Sequence, residues 1–348
     1  MLRYVALFSQ VVVLLLSVVV AEQEESSAKV PTCLDVEGFN ICHYNGILVD
    51  VTQRFKDEDK VSLVINDLDL LGIQENAFKN VTATYLVLNF GNRISVLKRG
   101  SFRGLPRLKL FDLDNNVVPL SEHLFAELEH LVFLSLTHNK ITSIPKDSFA
   151  GLSNLHWLRL NYNDIARISI ADFFSNPKLN YLELRHNKIT QVAPDAFASL
   201  TELLLLTLSF NQLEVLPDDA FKGLSKLEKL FLNNNRLTSV SATLFRHLVA
   251  LKRLDLENNV ISTLEPKTFQ GLSQLVYLNL TWNNLSHIVN GTFAGLSELR
   301  ILAIAYNIIH TVDSGSFKNL PKLQILEFNG NEATVTDKLF TKNGTLIA

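Results

Sequence analysis

One pattern of residues returns every 24 positions along most of this chain. The unit reads L-x-x-L-x-L-x-x-N-x-L-x-x-L-x-x-x-x-F-x-x-L, and well-matched copies begin at residues 108, 131, 155, 179, 203, 227, 251, 275 and 299. Weaker copies begin at residues 60 and 84, and an incomplete copy begins at residue 323, which makes twelve. A unit this short cannot bury its own apolar side, so consecutive copies must stack into a solenoid.

The spacing inside the unit predicts how each copy folds, with positions numbered from its first leucine. Apolar residues at positions 4 and 6 alternate as in a strand, so positions 3, 5 and 7 face the opposite way. Asparagine at position 9 falls where the chain leaves the strand, and its amide can satisfy backbone groups inside the bend. Phenylalanine at position 19, from Phe78 to Phe317, predicts a buried spine. The predicted fold is an α/β solenoid with a parallel β-sheet on the concave face and short helical or irregular segments on the convex face.

The repeated unit resembles that of the leucine-rich repeat superfamily, in particular its extracellular class with 24-residue units. The resemblance extends over about residues 60 to 340 and implies a curved horseshoe. The two cysteines ahead of the repeats and the phenylalanine spine are most similar to secreted immune proteins of arthropods such as mosquitoes. Ectodomains of Toll-type receptors share the same repeat. These similarities imply a role in innate immunity or extracellular signalling.

The start of the chain predicts secretion. Residues 1–21 combine a basic Arg3, an apolar run over residues 11–20 and small residues before an acidic stretch, which is typical of a secretory signal peptide. The run is too short to cross a bilayer, for which about 20 apolar residues are needed. We expect residues 22–59 to be a lead-in and cap, residues 60–336 to be the repeats, and residues 337–348 to be a short tail without a cysteine cap.

Two cysteines, Cys33 and Cys42, precede the repeats. In an oxidising compartment we expect them to form one disulfide that closes a hairpin over the N-terminal end of the core. With His43 they would make only an incomplete zinc site. The last copy has no such cap, so either a partner covers it through self- or hetero-association or the natural protein continues beyond residue 348. In the second case the chain would be the ectodomain of a membrane receptor or adhesion protein.

Charge and motifs argue against several classes of function. The net charge of -3, without basic clusters, argues against nucleic-acid binding. The sequence has no nucleophile elbow, no phosphate-binding glycine loop and no metal-binding helix motif, so we predict neither catalysis, nor a cofactor, nor a metal. Recognition of a protein partner, or alternatively of a glycan surface, remains as the predicted function.

Sequons of the N-x-S/T type predict glycosylation at Asn80, Asn279, Asn284, Asn290 and Asn343. Asn279 occupies position 5, which faces off the sheet. A glycan there would obstruct the concave face around the tenth copy and confine ligand binding to the N-terminal side of it. The alternative is that this sequon is unused.

Outward positions of the strands form a continuous rigid surface on which we expect ligand binding. Large rings beside a few charges are typical of interface hot spots. They cluster at Phe133, His138, Trp157, Arg159, Tyr162, Tyr181, Glu183, Arg185, His186 and Phe210, and a smaller runner-up surface carries Tyr277, Trp282 and Tyr306. Alternatively, the rings at position 8 only stack along the edge of the solenoid and stabilise it. The two histidines would either make binding pH-sensitive or be solvated edge residues.

The second copy, TYLVLNFGNRI, conflicts with the strict register. In that register Asn89 would face the core and Leu86 and Leu88 would face solvent. Burying an unpaired amide costs about 1 to 3 kcal/mol, so we predict a bulge that turns both leucines inward. The strict register would instead create an apolar patch with Leu110 as a third candidate site.

Overall fold

The computed structural model describes residues 30–54, 62–79 and 81–333. The predicted signal peptide, the predicted C-terminal tail, Asn80 and Asn343 lie outside these ranges. The strands in chain order are β1 (Thr32–Val36), β2 (Phe39–Tyr44), β3 (Ile47–Gln53), β4 (Ser62–Val64), β5 (Gly72–Ile73), β6 (Phe78–Lys79), β7 (Tyr85–Val87), β8 (Leu110–Asp112), β9 (Phe133–Ser135), β10 (Trp157–Arg159), β11 (Arg167–Ile168), β12 (Tyr181–Glu183), β13 (Gln191–Val192), β14 (Leu205–Thr207), β15 (Lys229–Phe231), β16 (Arg253–Asp255), β17 (Tyr277–Asn279), β18 (His287–Ile288), β19 (Ile301–Ala303), β20 (Thr311–Val312) and β21 (Ile325–Glu327).

One parallel sheet runs through the whole solenoid. It has 12 strands in the order β4, β7, β8, β9, β10, β12, β14, β15, β16, β17, β19 and β21, so each copy of the unit contributes one strand. Equivalent residues pair across neighbouring strands, as Trp157 does with Tyr181 and Tyr181 with Leu205. Side chains at the same position of successive copies therefore lie side by side, and those at positions 3, 5 and 7 form what we call the open face.

The core is built from the repeated apolar positions. Leu158 and Leu160, at positions 4 and 6 of the fifth copy, are 0% exposed, as are their counterparts Leu182 and Leu184. The phenylalanine spine is confirmed: stacked neighbours along it have ring centroids between 5.5 and 6.3 Å apart. The core is thus one continuous apolar column closed by the sheet on one side and the phenylalanines on the other.

The asparagine ladder at position 9 is also confirmed. Asn187 donates from its amide nitrogen to the carbonyls of Leu160 and Leu184, at 2.9 and 3.0 Å. Its amide oxygen accepts the backbone N–H of Ile165 at 3.1 Å. The same arrangement recurs in neighbouring copies, for example at Asn211. Each asparagine therefore satisfies buried backbone groups of its own copy and the preceding one, for which the turn offers no backbone partner.

Of the two alternatives predicted for the convex face, helical or irregular segments, the helical one is wrong, because the described residues contain no helix. The chain there makes successive single turns, in which Leu124, Ala126 and Leu128 donate to carbonyls three residues earlier at 3.0 to 3.3 Å. His123 inside this segment has a φ of 57°, and Asp147 and Asp195 have 58° in later copies. A residue in the left-handed region interrupts helical hydrogen bonding. It follows that the described part also has no helix that could cross a membrane.

The N-terminal strands cap the core. β1, β2 and β3 form an antiparallel sheet, and β3 continues it by pairing in parallel with β5 and β6. Cys33 and Cys42 face each other across β1 and β2 and form the predicted disulfide. Phe39 and Ile41 of β2 are at most 1% exposed, so the hairpin covers the first copy of the solenoid.

The bulge predicted in the second copy is confirmed. Leu86 and Leu88 are 0% exposed, and Leu86 pairs with Phe111 of the next strand. The extra residue lies between Val87 and Phe90, because the N–H groups of Ile65 and Asp67, two residues apart, donate to carbonyls three residues apart, those of Val87 and Phe90, at 2.9 Å each. The patch with Leu110 as a third candidate site is therefore excluded.

Candidate functional site

Three large rings lie side by side on the open face, because position 3 is the first outward residue of each strand. We call Phe133, Trp157 and Tyr181 the inner aromatic track. Adjacent ring centroids in this track are 5.2 and 5.4 Å apart. The guanidinium of Arg159 lies over two of the rings, 5.3 Å from the centroid of Phe133 and 4.4 Å from that of Trp157. The predicted aromatic residues and Arg159 thus form one packed cluster.

Glu183 holds this cluster together. Its carboxylate accepts a hydrogen bond from the indole N–H of Trp157 at 2.7 Å, from Arg159 Nε at 3.3 Å and from Asn161 Nδ2 at 2.6 Å. The three donors come from β10 and the residues after it, and the acceptor comes from the neighbouring β12. Side chains fixed by such bonds lose less conformational entropy when a partner binds, which favours affinity.

A second row of rings runs along the edge of the sheet at position 8. We call His138, Tyr162, His186 and Phe210 the edge ladder. Their rings stack with centroids 4.4, 4.4 and 4.3 Å apart and interplanar angles of 15°, 14° and 20°. All four residues have φ between 53° and 57°. The ladder is therefore built on left-handed backbone, which bulky residues rarely adopt.

Comparison with other copies shows that this backbone does not call for rings. Position 8 is filled in four other copies by Asn115, Asn234, Asn258 and Gly330, residue types that tolerate positive φ, and in two more by the rings Trp282 and Tyr306. A ring at this position costs roughly 1 to 2 kcal/mol of backbone strain, while each stacked pair contributes only about 0.5 to 1.5 kcal/mol. Stacking thus roughly offsets the strain, and stabilisation alone is a weak reason for rings here.

The surroundings of His186 in the ladder favour its neutral form. Burial lowers the pKa of its imidazole, and the charges of Arg185 and His138 lower it further. A neutral ring stacks without desolvating a charge. That the histidines make binding pH-sensitive stays a prediction. For His186 the lowered pKa moves the titration further below neutral pH.

A cleft of about 450 Å³ opens between the edge ladder and the middle of the sheet. Its lining includes the predicted residues Tyr162, Glu183, Arg185 and Phe210, and also Asn161, Leu205, Thr207, Ser209, Phe231, Asn233 and Asp255. Of these further residues, Thr207, Ser209, Phe231, Asn233 and Asp255 were not predicted to belong to the binding surface. The sequence indicates the cleft only through small side chains on the open face, at Thr207, Ser209 and Asn233. Copies with larger outward side chains lie on either side of them.

The runner-up surface divides into two parts in the structure. Trp282 and Tyr306 continue the edge row, stacked at 4.4 Å with an interplanar angle of 4°. Tyr277 lies on the open face, where the guanidinium of Arg253 sits 4.2 Å from its ring centroid and 5.5 Å from that of Phe231.

Asp255 completes this second arginine cluster, with one oxygen 3.5 Å from Arg253 Nη2. Burial raises the pKa of this carboxyl, although the Glu257 backbone N–H and Arg253 lower it. The open face therefore carries two clusters of rings, arginine and carboxylate, with the cleft between them.

The sequons differ in exposure. Asn284 and Asn290 are exposed. Asn279 is only 6% exposed, and its amide nitrogen donates to Asp255 at 3.3 Å and to Glu257 at 3.2 Å. A glycan on this nitrogen would break both bonds, which favours the interpretation that the sequon is unused.

The described residues hold no group of three or more His, Cys, Asp or Glu side chains arranged to bind a metal ion. Several carboxylates on the open face are instead bound by donors of the chain itself. Asp114, for example, accepts the Ser135 hydroxyl and the Thr137 backbone N–H, while burial raises its pKa.

Comparisons with known proteins agree with this architecture. The model of the family described as leucine rich repeat matches overlapping segments that run from residue 81 to residue 333. Among solved structures, an internalin of Listeria monocytogenes is similar over 72% of this chain and 68% of its own, at 25% identity and a TM-score of 0.56. A leucine-rich repeat protein of Leptospira interrogans is similar over 79% of this chain and 73% of its own, at 24% identity and a TM-score of 0.63. Among curated proteins there is no match.

Proposed function

Because the chain belongs to the leucine-rich repeat family, whose members are typically protein-binding and not catalytic, we propose that it is a secreted recognition protein. In this proposal the partner is a protein, and it docks on the inner aromatic track, the edge ladder and the cleft between them. A glycan surface is the second option for the ligand. The disulfide between Cys33 and Cys42 supports an extracellular location, since such bonds persist in oxidising compartments. Innate immunity or extracellular signalling is the setting we propose.

The edge ladder is the observation that carries the proposal. Four consecutive copies place rings on backbone that favours asparagine or glycine, and the fold tolerates those smaller residues in the adjacent copies. Strained backbone that is not needed for the fold points to a functional use. Tyr162 is 42% exposed and Tyr181 is 39% exposed, so the rings offer apolar surface to a partner.

The test begins with the protein recovered from its own secreted fluid. Light scattering gives its native mass, and mass spectrometry identifies any protein bound to it. The dissociation constant for that partner is then measured for the wild type, Trp157→Ala and Tyr162→Asn. We expect each substitution to weaken binding by roughly tenfold or more, as is typical of hot-spot rings.

The matched control is Phe174→Ala. Phe174 is an aromatic residue on the convex side and is 71% exposed, so its loss should leave affinity unchanged. Equal affinity in all variants would place the site elsewhere, and a loss only in Phe174→Ala would place it on the convex side.

A further inference from the structure

Three arginines of the open face lie on aromatic rings, and they differ in their partners. Arg159 lies over Trp157, and Arg253 lies over Tyr277. The third, Arg185, lies 4.7 Å from the ring centroid of Phe210. The rings hold each guanidinium in place and leave its N–H groups free to bind acceptors at its edge.

Two of these arginines receive a carboxylate from the chain itself. Arg159 is 3.3 Å from Glu183, and Arg253 is 3.5 Å from Asp255. For Arg185 no ion pair occurs anywhere in the part of the chain that the structure describes. Its guanidinium is therefore a fixed set of donors without an acceptor.

The repeat explains why the acceptor is missing. Glu183 reaches Arg159 because it occupies the same position one copy later, 24 residues on. The equivalent residue for Arg185 is Ser209, followed by Asn233 in the next copy, and both have short neutral side chains. These two residues and Arg185 line the cleft of about 450 Å³. The cleft thus occupies the space that a carboxylate partner of Arg185 would fill.

Asn233 supplies a second donor to the same space. Its amide oxygen accepts the hydroxyl of Ser209, and its amide nitrogen donates to no residue in the described ranges. The two carboxylates that line the cleft are already engaged: Glu183 accepts three hydrogen bonds. Asp255 accepts from Asn279, Arg253 and the Glu257 backbone. The cleft therefore offers donors, not acceptors, to an incoming group.

We propose that this cleft binds a carboxylate side chain, from an aspartate or glutamate of the protein partner, with Arg185 and Asn233 as its donors. A guanidinium can bind both oxygens of a carboxylate at once, and the fixed ring beneath it limits the entropy lost on binding. Tyr162 and Phe210 of the edge ladder would pack against the aliphatic part of the same side chain. This inference rests on the proposed function, because it names the chemistry of the partner at the proposed face.

The test uses a phage-displayed library of random dodecapeptides as the probe. It is selected in parallel on the wild-type protein, on Arg185→Gln and on Arg236→Gln. Arg236 is exposed and has no ion pair within the described ranges, but it lies outside the cleft lining, so it is the matched control. We expect acidic residues to be enriched on the wild type and on Arg236→Gln, but not on Arg185→Gln.

The best acidic peptide is then synthesised with an amidated C-terminus, so that only side-chain carboxylates remain, together with its Glu→Gln or Asp→Asn form. Arg185→Gln should weaken the acidic peptide by roughly tenfold to a hundredfold and leave the amide form unchanged. Selected peptides without acidic residues, or equal losses for both peptide forms, would overturn the carboxylate site but leave the proposed face standing. The affinity of the selected peptides is also measured on Trp157→Ala. If none of them binds this variant more weakly than the wild type, the proposed face fails as well.

Discussion

Asp172 is expected to destabilise the folded chain at neutral pH. It lies on the outer side of the fifth copy and is 7% exposed. Burial raises its pKa to about 6, although the Ser169 N–H donates to it at 2.8 Å and the charge of Arg167 favours the ionised form. Against the ordinary value of 3.8, and at 1.36 kcal/mol for each pKa unit, the difference corresponds to about 3 kcal/mol.

The sign follows from proton binding. The folded chain holds the Asp172 proton more tightly than the unfolded chain, because the pKa is higher in the fold. Stability is therefore greatest below pH 3.8, falls as the pH rises towards about 6, and is constant above that value as far as this group is concerned. The full destabilisation is present at neutral pH.

Asp172→Ser removes the buried carboxylate and replaces it with a residue type that other copies already have at this position. The same position holds Ser148 and Ser316 in other copies, where the hydroxyl donates to the carbonyl three residues earlier at 2.6 and 2.8 Å. We expect the free energy of unfolding in urea to rise by up to about 3 kcal/mol near pH 7.5 and to change little near pH 3.5. Asp164→Ser, which removes a carboxylate paired with Lys188 at 2.7 Å, should show no such gain. A gain of equal size at both pH values, or none at neutral pH, would refute the argument.

Three further substitutions test other parts of the structure. Tyr162→Asn should lower the free energy of unfolding in urea by about 1 kcal/mol or less, since relief of left-handed strain offsets the lost stacking. A larger loss would show that the fold needs the edge ladder for its stability. Asn187→Ala should lower the free energy of unfolding by about 2 to 4 kcal/mol in the same assay, because the N–H of Ile165 is left buried without an acceptor. A decrease below about 1 kcal/mol would contradict the role of the asparagine ladder. Asn279→Gln should leave the intact mass of the protein expressed in a glycosylating eukaryotic host unchanged apart from the substitution, because its nitrogen is bound to Asp255. Loss of one glycan mass would show that the sequon is used.

The fold could be predicted from the sequence because its determinants are local and repeated. Leucines at positions 4 and 6, asparagine at position 9 and phenylalanine at position 19 each have one physical role, and stacking repeats that role in every copy. The convex side could not be predicted in the same way. Its segments are apolar enough for a short helix, but residues such as His123 at a φ of 57° turn the chain after every few residues.

The candidate site could be predicted only in part, because its members are brought together by stacking rather than by the motif. Large outward rings such as Trp157 and Tyr181 are visible in the sequence, and their adjacency follows from the repeat. The cleft is not visible in this way, because it is made by small residues such as Thr207 and Ser209, whose importance lies in the space they leave. Asp255 was missed for a related reason, since its burial depends on Asn279 and Arg253 from the open face.

The backbone of the turn shows which residues this solenoid needs for folding and which positions its fold leaves open to other residue types. At position 9 the turn requires an amide, and asparagine such as Asn187 bonds buried backbone groups of two copies. One residue earlier the same turn requires only a positive φ, and Asn258 or Gly330 meets that requirement with little strain. A ring at position 8 therefore adds strain without satisfying any group of the fold. We propose that its presence in four consecutive copies serves contacts outside the chain, since a ladder needed for stability would be expected at Asn234 and Asn258 as well.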